Sequence, residues 1–368
     1  MAIATIPTRA FSEQTINFRN IVINGDMSIA QRGTSATGVT SNSYNTCDRW
    51  NTIPINLGTW TLTQSTDVPT GQGFASSFKL DCTTADASPS ASDLFLLRQK
   101  IEGQNLQYLK KGTSSAESLT LSFWVKSNKT GTYIAELSDV DNDRYINKSY
   151  TINSANTWEK KTITYAGDTT GNLDNDNAFS FRLVLWLAAG TDYTSGTLQT
   201  SWGTRVDANR AVGQVNLADS TSNEWYITGV QLEAGTTASD FEFLPHDVNK
   251  ERCYRYFYAF PTSGHRGIYG MMDDSGNCQY QGDFPVVMRA NPTLPTLSGT
   301  FNFRGQFRNG NKSSTSSHSY GYNGNRSVIF GGAGYGGSPS REFGVYNGTV
   351  NITADSELWL QQLQNYMI

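Results

Sequence analysis

The sequence predicts an all-β protein, a large sandwich followed by a smaller β-domain, and three observations carry this. Short runs in which apolar and polar residues alternate recur along the 368 residues, separated by clusters of Gly, Asn, Asp and Ser. A period of two is what a half-buried strand requires. Heptad runs and the Ala/Glu/Lys-rich stretches that announce helices are absent. Charged residues make up only 16% of the chain while aromatics reach 12%, a composition that suits many short strands packed face to face.

Residues 1–16 read as an extended arm with Pro7 and few apolar anchors, the kind of terminus that orders when a partner ties it down. The sandwich is assigned to residues 17–246. It opens with Ile21 and Ile23 alternating with polar neighbours, a tight turn at Asn24-Gly25, and renewed alternation at Met27 and Ile29. Asp48-Arg49-Trp50 opens a strand pattern that Trp60 and Leu62 continue, and short strands follow over 76–80 and 94–101. The cleanest strand is 119–127. Leu119, Leu121, Phe123 and Val125 share one face, and Thr120, Ser122, Trp124 and Lys126 share the other. Asn128 to Gly131 is expected to be a hairpin turn into the next strand. Strands over 158–165 and 181–187 follow; in the latter Phe181, Leu183, Leu185 and Leu187 oppose Arg182, Val184 and Trp186. A strand over 225–233 closes the sandwich. Residues 247–260 are charged and aromatic and predict a linker with one or two helical turns. From 261 to 368 Gly and Asn increase, and strands are expected over 300–307, 327–330 and 350–354.

Trp124 and Trp186 each sit out of phase with the apolar face of their strand. If the two strands share a sheet, Trp124, Lys126, Arg182 and Trp186 line one shallow surface. Indole faces there would stack on sugar rings, and the cations would fix hydroxyls. A loop or second subunit covering that face would instead make both tryptophans packing groups. Asp139, Asp141 and Asp143 alternate as calcium-loop carboxylates do. Arg144 stands where that loop needs glycine and Tyr150 where it needs glutamate, so a solvated hairpin tip is expected. Gly332, Gly334 and Gly337 have the G-x-G-x-x-G spacing, but no helical pattern follows, and a loop is expected. His246, His265 and His318 lie in loop-like surroundings without a nucleophile motif. No catalytic residue is assigned, and an enzyme is not expected.

A formal net charge of −4 without a basic stripe argues against a nucleic-acid partner. No apolar run approaches membrane-spanning length, so membrane insertion is not expected. The first twenty residues lack the apolar core of a signal peptide. Cys47, Cys82, Cys253 and Cys278 show no metal-ligand spacing and are too few for a disulfide scaffold. Free thiols and synthesis in a reducing cytoplasm are expected, with one or two disulfides left open.

Four separated motifs then carry a resemblance: NIVINGDMSIAQRG at 20–33, CDRW at 47–50, LTLSFWVKSNKTGTY at 119–133, and WYITGVQLEAGTTASDFEFLPHDVNKERCYRYF at 225–257. In this order they resemble virion surface proteins of tailed bacteriophages, the tail-fibre and receptor-binding family. The segment from Phe284 to Pro292 is similar to an element in the C-terminal portions of the same proteins. The Asn-Gly opening and the Val-x-Leu closing strand also resemble jelly-roll carbohydrate-binding modules. The resemblance covers about residues 17–260. It implies an N-terminal jelly-roll β-sandwich that adheres to a host surface glycan, and attachment to other virion proteins through the arm at 1–16. It also implies a homotrimer, a location in the virion and no cofactor. A capsid decoration or head-fibre protein is the alternative, and a polysaccharide-degrading tailspike the more distant one. Sugar-binding jelly rolls often hold a structural calcium near the first and last strands. That place falls here to Asp26 and Glu233, although Thr228-Gly229 replaces the paired acids of that family. Tyr254, Phe257 and Tyr258 are expected to pack where the linker meets the second domain.

Overall fold

Alternating side chains build two six-stranded antiparallel sheets between residues 35 and 234. The computed structural model describes residues 18–259, 268–272, 278–292, 301–305, 311–314, 318–322, 326–332, 342–346 and 353–355. Two units emerge, one holding residues 35–45 and 50–244 with the segment before Ile29, the other holding 29–34, 46–49 and the chain from Pro245.

In the first unit twelve strands run in chain order: β1 (Ser35–Val39), β2 (Asn51–Ile55), β3 (Thr59–Ser65), β4 (Ser77–Thr84), β5 (Leu94–Glu102) and β6 (Leu119–Ser127), then β7 (Gly131–Asp139), β8 (Arg144–Ile152), β9 (Glu159–Tyr165), β10 (Phe179–Ala189), β11 (Gly203–Thr204) and β12 (Glu224–Ala234). The first sheet has the order β1-β3-β4-β12-β6-β9 and the second β11-β8-β7-β10-β5-β2. The chain passes back and forth between the sheets, as in a jelly roll. The inward faces meet in a dry core. Trp60, Leu62, Leu80, Leu121, Val125, Trp225 and Ile227 come from the first sheet, and Phe95, Leu97, Tyr133, Leu137, Leu183, Leu185 and Leu187 from the second. The Trp60 and Phe95 rings lie 4.0 Å apart across the interface, and Tyr165 Oη donates to the Ala135 carbonyl at 3.1 Å. Each fully buried Leu or Val contributes about 1.5–3 kcal/mol by leaving water.

Two expectations are corrected. The segment over 21–29 is not a strand. Asn24 and Met27 take left-handed φ values of 58° and 59°, and the segment runs irregularly beside β12. Ile21 N donates to Leu232 O and Val230 N to Gly25 O, both at 2.9 Å, and the Asn20 side chain bonds Leu232 N and Val230 O where β12 bulges. A Cβ on Gly25 would fall 2.0 Å from the Val230 carbonyl oxygen, so only glycine fits. The Asn128–Gly131 turn is not a hairpin either. β6 pairs with β12 and β9, while β7 pairs with β8 and β10, so the turn carries the chain from one sheet to the other.

In the second unit the predicted helical turns form α2 (His246–Tyr254), which follows a four-residue helix α1 (Thr191–Thr194) of the first unit. β13 (Phe257–Ala259) pairs with a strand at Thr353–Asp355. Seven antiparallel strands make one sheet, in the order Asn311–Ser314, Phe301–Gly305, Glu342–Tyr346, Ile268–Met272, Cys278–Asp283, Ser327–Gly332 and His318–Tyr322. His246 therefore opens a helix and His318 a strand, not loops. His265, the arm at 1–16 and most of the glycine-rich loop after Gly332 lie outside the described residues.

Three of the recognised motifs converge within this unit. The Gln31 backbone and side chain both donate to Asp48, and Gln31 Nε2 also donates to Phe257 O at 2.9 Å. The Arg32 guanidinium lies 3.7 Å over the Phe257 ring and that of Arg49 3.4 Å over Tyr256. Arg289 N donates to Arg255 O at 2.7 Å, and the Tyr254 and Tyr258 rings meet edge-on at 4.9 Å. Cys47, Cys82 and Cys253 are buried. Burial, helped by Asp81 and Asp219, pushes the Cys82 thiol up to about 11. Among the described residues no helix is long and apolar enough to cross a membrane.

Candidate functional site

The four residues predicted to share a surface lie on two different sheets. Trp124 and Lys126 face outward from β6 in the first sheet, and Arg182 and Trp186 face outward from β10 in the second. The structure thus makes two separate outer faces.

On the first, cross-strand pairing puts Tyr226 opposite both Lys126 and Lys79, and Thr228 opposite Trp124. Trp158, just before β9, meets the Tyr226 ring edge-on with centroids 6.2 Å apart. The Lys126 ammonium lies 4.3 Å from the Tyr226 centroid and pairs with Asp67, whose Oδ1 also accepts from Trp158 Nε1 at 3.0 Å. Lys79 pairs with Glu224, which accepts from the Tyr226 hydroxyl at 2.7 Å. Burial alone would raise both carboxyls. The bonds from Lys126 and Trp158 hold Asp67, and those from Lys79 and Tyr226 hold Glu224, below the ordinary range. Trp124, Lys126 and Trp158 are half-buried. This face therefore offers the half-buried indoles of Trp124 and Trp158 beside ionised groups, with the Tyr226 ring buried next to Lys126, a chemistry that stacks on ring faces and bonds hydroxyls. Trp158 and Tyr226 were not singled out from the sequence: Trp158 was read only as the first residue of a strand, and Tyr226 sits on a strand read only for its apolar side.

The second outer face is organised in three cross-strand rows. Ile53, Leu96, Trp186 and Ile134 form an apolar row; Asn51, Arg98, Val184, Glu136 and Asn147 form the next; Lys100, Arg182, Ser138 and Tyr145 form the third. Trp186 is fully buried there, packed with Tyr193 and Ala211 of the segment that returns over the sheet. Its ring centroid is 5.4 Å from that of Tyr193, and its Nε1 donates to Glu136 Oε2 at 3.2 Å. Trp186 is a packing group and presents no plane to solvent. Arg210 from the same segment binds Glu136 through Nε and Nη2, each at 3.0 Å, and lies 4.9 Å from the Trp186 centroid. Burial would raise Glu136, but Arg210 holds its carboxyl below the ordinary range.

The Asp139–Asp143 turn is the β7–β8 hairpin tip. Lys111 Nζ sits 2.5 Å from Asp139 Oδ2 and 3.0 Å from Asp168 Oδ2, where a calcium would be, and Arg144 grips Asp168 at 2.8 and 2.9 Å. The Glu233 carboxylate takes Gln231 Nε2 (2.9 Å), Ser239 N (2.9 Å) and Ser239 Oγ (2.7 Å), with Arg19 at 3.6 Å. Thr228 Oγ1, in place of a family acid, donates to Ser76 O at 2.7 Å. Among the described residues, no three His, Cys, Asp or Glu side chains converge on one point.

No protein-family model matches the sequence, and no curated protein matches it. Solved structures do resemble it. The enzymatically active domain of tailspike protein 4 from bacteriophage CBA120 aligns at 15% identity and a TM-score of 0.31, covering 59% of this chain and 22% of that one. TmCBM61, solved with β-1,4-galactotriose, aligns at 10% identity and 0.28, covering 59% and 99%. The family 11 carbohydrate-binding module of a Clostridium thermocellum cellulase aligns at 12% identity and 0.26, covering 55% and 96%. The chain spans about a fifth of the tailspike domain's length.

Proposed function

We propose that this protein is a glycan adhesin, and that it serves as a surface protein of a tailed-phage virion, a tail fibre or receptor-binding protein. The observation that carries the adhesion reading is the first sheet's outer face. Trp124 and Trp158 hold half-buried indole surface near Lys126 and Lys79, whose charges are fixed by Asp67 and Glu224, and the buried Tyr226 ring lies beside both lysines. Stacking orients a sugar ring, and the ionised groups select among hydroxyl patterns. The virion reading is supported by the ordered motifs, which the structure gathers around Gln31, Asp48 and Phe257. Several copies in one fibre, a homotrimer in this reading, multiply weak single-site contacts.

Glycan-array binding of the wild-type protein and of Trp124→Ala tests the first part. Loss of one stacking surface is expected to weaken retention about tenfold, on the order of 1 kcal/mol beyond the area lost, with the thermal midpoint little changed. Equal retention by both proteins would remove this face from the reading. Antibody labelling of virions tests the second part, with tail labelling expected.

A further inference from the structure

On the second sheet's outer face Glu136 and Asp207 are both engaged by Arg210, and Arg98 and Arg182 form no ion pair among the described residues. Glu136 accepts Arg210 Nε and Nη2 (both 3.0 Å), Trp186 Nε1 (3.2 Å) and Ser138 Oγ (2.5 Å). A carboxylate offers about four lone-pair positions, so Glu136 is saturated, and Arg210 also donates to Asp207 Oδ1 at 3.2 Å. Arg98 stands in the same row, buried, and donates through Nε to the neutral Asn51 Oδ1 at 2.9 Å. Arg182 stands one row on, diagonal to Arg98 and between Lys100 and Ser138. It is half-buried, and its Nε is enclosed without an acceptor. At the end of that row the Tyr145 hydroxyl is likewise enclosed without an acceptor, in a residue 1% exposed.

Two guanidinium groups therefore lie on neighbouring positions of one sheet face and, among the described residues, neither is ion-paired to a carboxylate; Glu136 acts on both only at longer range. An uncompensated cation in such surroundings is costly. Burial first, and then Arg98 and Arg210, push the Arg182 guanidinium down to about 9; burial likewise brings Arg98 to about 10. A neutral hydroxyl pattern does not relieve this, whereas an oxyanion does, and the planar guanidinium fork matches carboxylate and phosphate alike.

We propose that Arg182, with Arg98 beside it, is an anion-recognition site that receives a carboxylate or phosphate group carried by an acidic glycan. The glycan part rests on the adhesion reading; the anion site rests on the arginines alone.

The test titrates the full-length protein with glucuronate, inorganic phosphate and glucose at constant ionic strength, following the arginine Nε–H resonances. The Arg182 resonance is identified by its absence in Arg182→Gln. Glucuronate or phosphate is expected to shift it while glucose does not, and the preferred anion distinguishes the two sources. Arg182→Gln, and independently Arg98→Gln, should weaken anion binding about tenfold or more. Because Arg182→Gln removes an uncompensated charge, its thermal midpoint should be unchanged or raised, so a binding loss is not an unfolding loss. An Arg182 resonance indifferent to both anions, or equal anion affinity in wild type and Arg182→Gln, overturns the inference. Neither outcome touches the adhesion reading, which stands or falls with Trp124→Ala on neutral glycans.

Discussion

Glu136 shows how much one side chain can hold on a sheet face. It is fully buried, and Arg210, Trp186 and Ser138 converge on its two oxygens. Glu136→Gln keeps the shape but takes from the buried Arg210 its bidentate carboxylate, leaving only the half-exposed Asp207 at 3.2 Å as its counter-charge. A loss of about 3–5 kcal/mol is expected, as for breaking one side of a buried ion pair, measured by urea denaturation at pH 7. A loss under about 1 kcal/mol, the scale of exposed pairs, would mean that solvent reaches the pair. At this scale the sequence was only half informative. Trp124 and Trp186 have the same out-of-phase position on their strands, yet one is half-exposed and the other fully buried. What separates them is the chain around Tyr193 and Ala211 folding back over β10, a tertiary event that strand periodicity does not record. Glu136 and Arg98 were passed over for a similar reason: a charged residue on a strand's polar side reads as solvated until something covers it.

Strand 119–127 was legible to the residue because both faces keep strict alternation. The turn after it was misread because a sheet-to-sheet crossing and a hairpin use the same residue types, Asn, Lys, Thr and Gly. The opening over 21–29 alternates, yet two left-handed residues bend it out of strand geometry. The turn from β8 to β9 carries a prediction at this scale. The Glu159 carboxylate accepts Asn153 N and Ser154 N at 2.9 and 2.8 Å and Asn153 Nδ2 at 2.9 Å, and pairs with Lys161. Burial would raise its carboxyl, but these donors bring it down to about 2, from an ordinary value of 4.5. A carboxyl depressed by folding adds stability that is complete above its unfolded value and lost as pH falls through the folded one. Glu159→Gln should therefore cost on the order of 1 kcal/mol at pH 7, with the difference from wild type shrinking between pH 4.5 and 2. Denaturation midpoints of both proteins across that window check it. A gap that persists at pH 2 assigns the effect to packing instead.

Composition puts a change of character after residue 246; the two units part between Leu244 and Pro245. What no composition profile reveals is that 29–34 and 46–49, far earlier in the chain, group with the second unit. Contacts of that unit explain it: Arg32 stacks on Phe257, Arg49 on Tyr256, and Gln31 donates to Phe257 O. Both partners, Tyr256 and Phe257, lie beyond residue 244, so a chain ending there keeps both early segments but loses these three contacts. Arg49 is 3% exposed in the full chain and sits in a left-handed conformation, φ 74°, that its surroundings must enforce. Without Tyr256 and Phe257 the peptide bonds after Arg32 and Arg49 should open to protease. Limited trypsin digestion of residues 1–244 beside the full-length protein is expected to cut at those two sites roughly tenfold faster in the shorter chain, because cleavage follows the population of locally opened states. Cleavage at the same rate in both proteins would mean that 29–34 and 46–49 are held by the jelly roll itself, and that the stacked arginines decorate the second unit without anchoring the early chain to it.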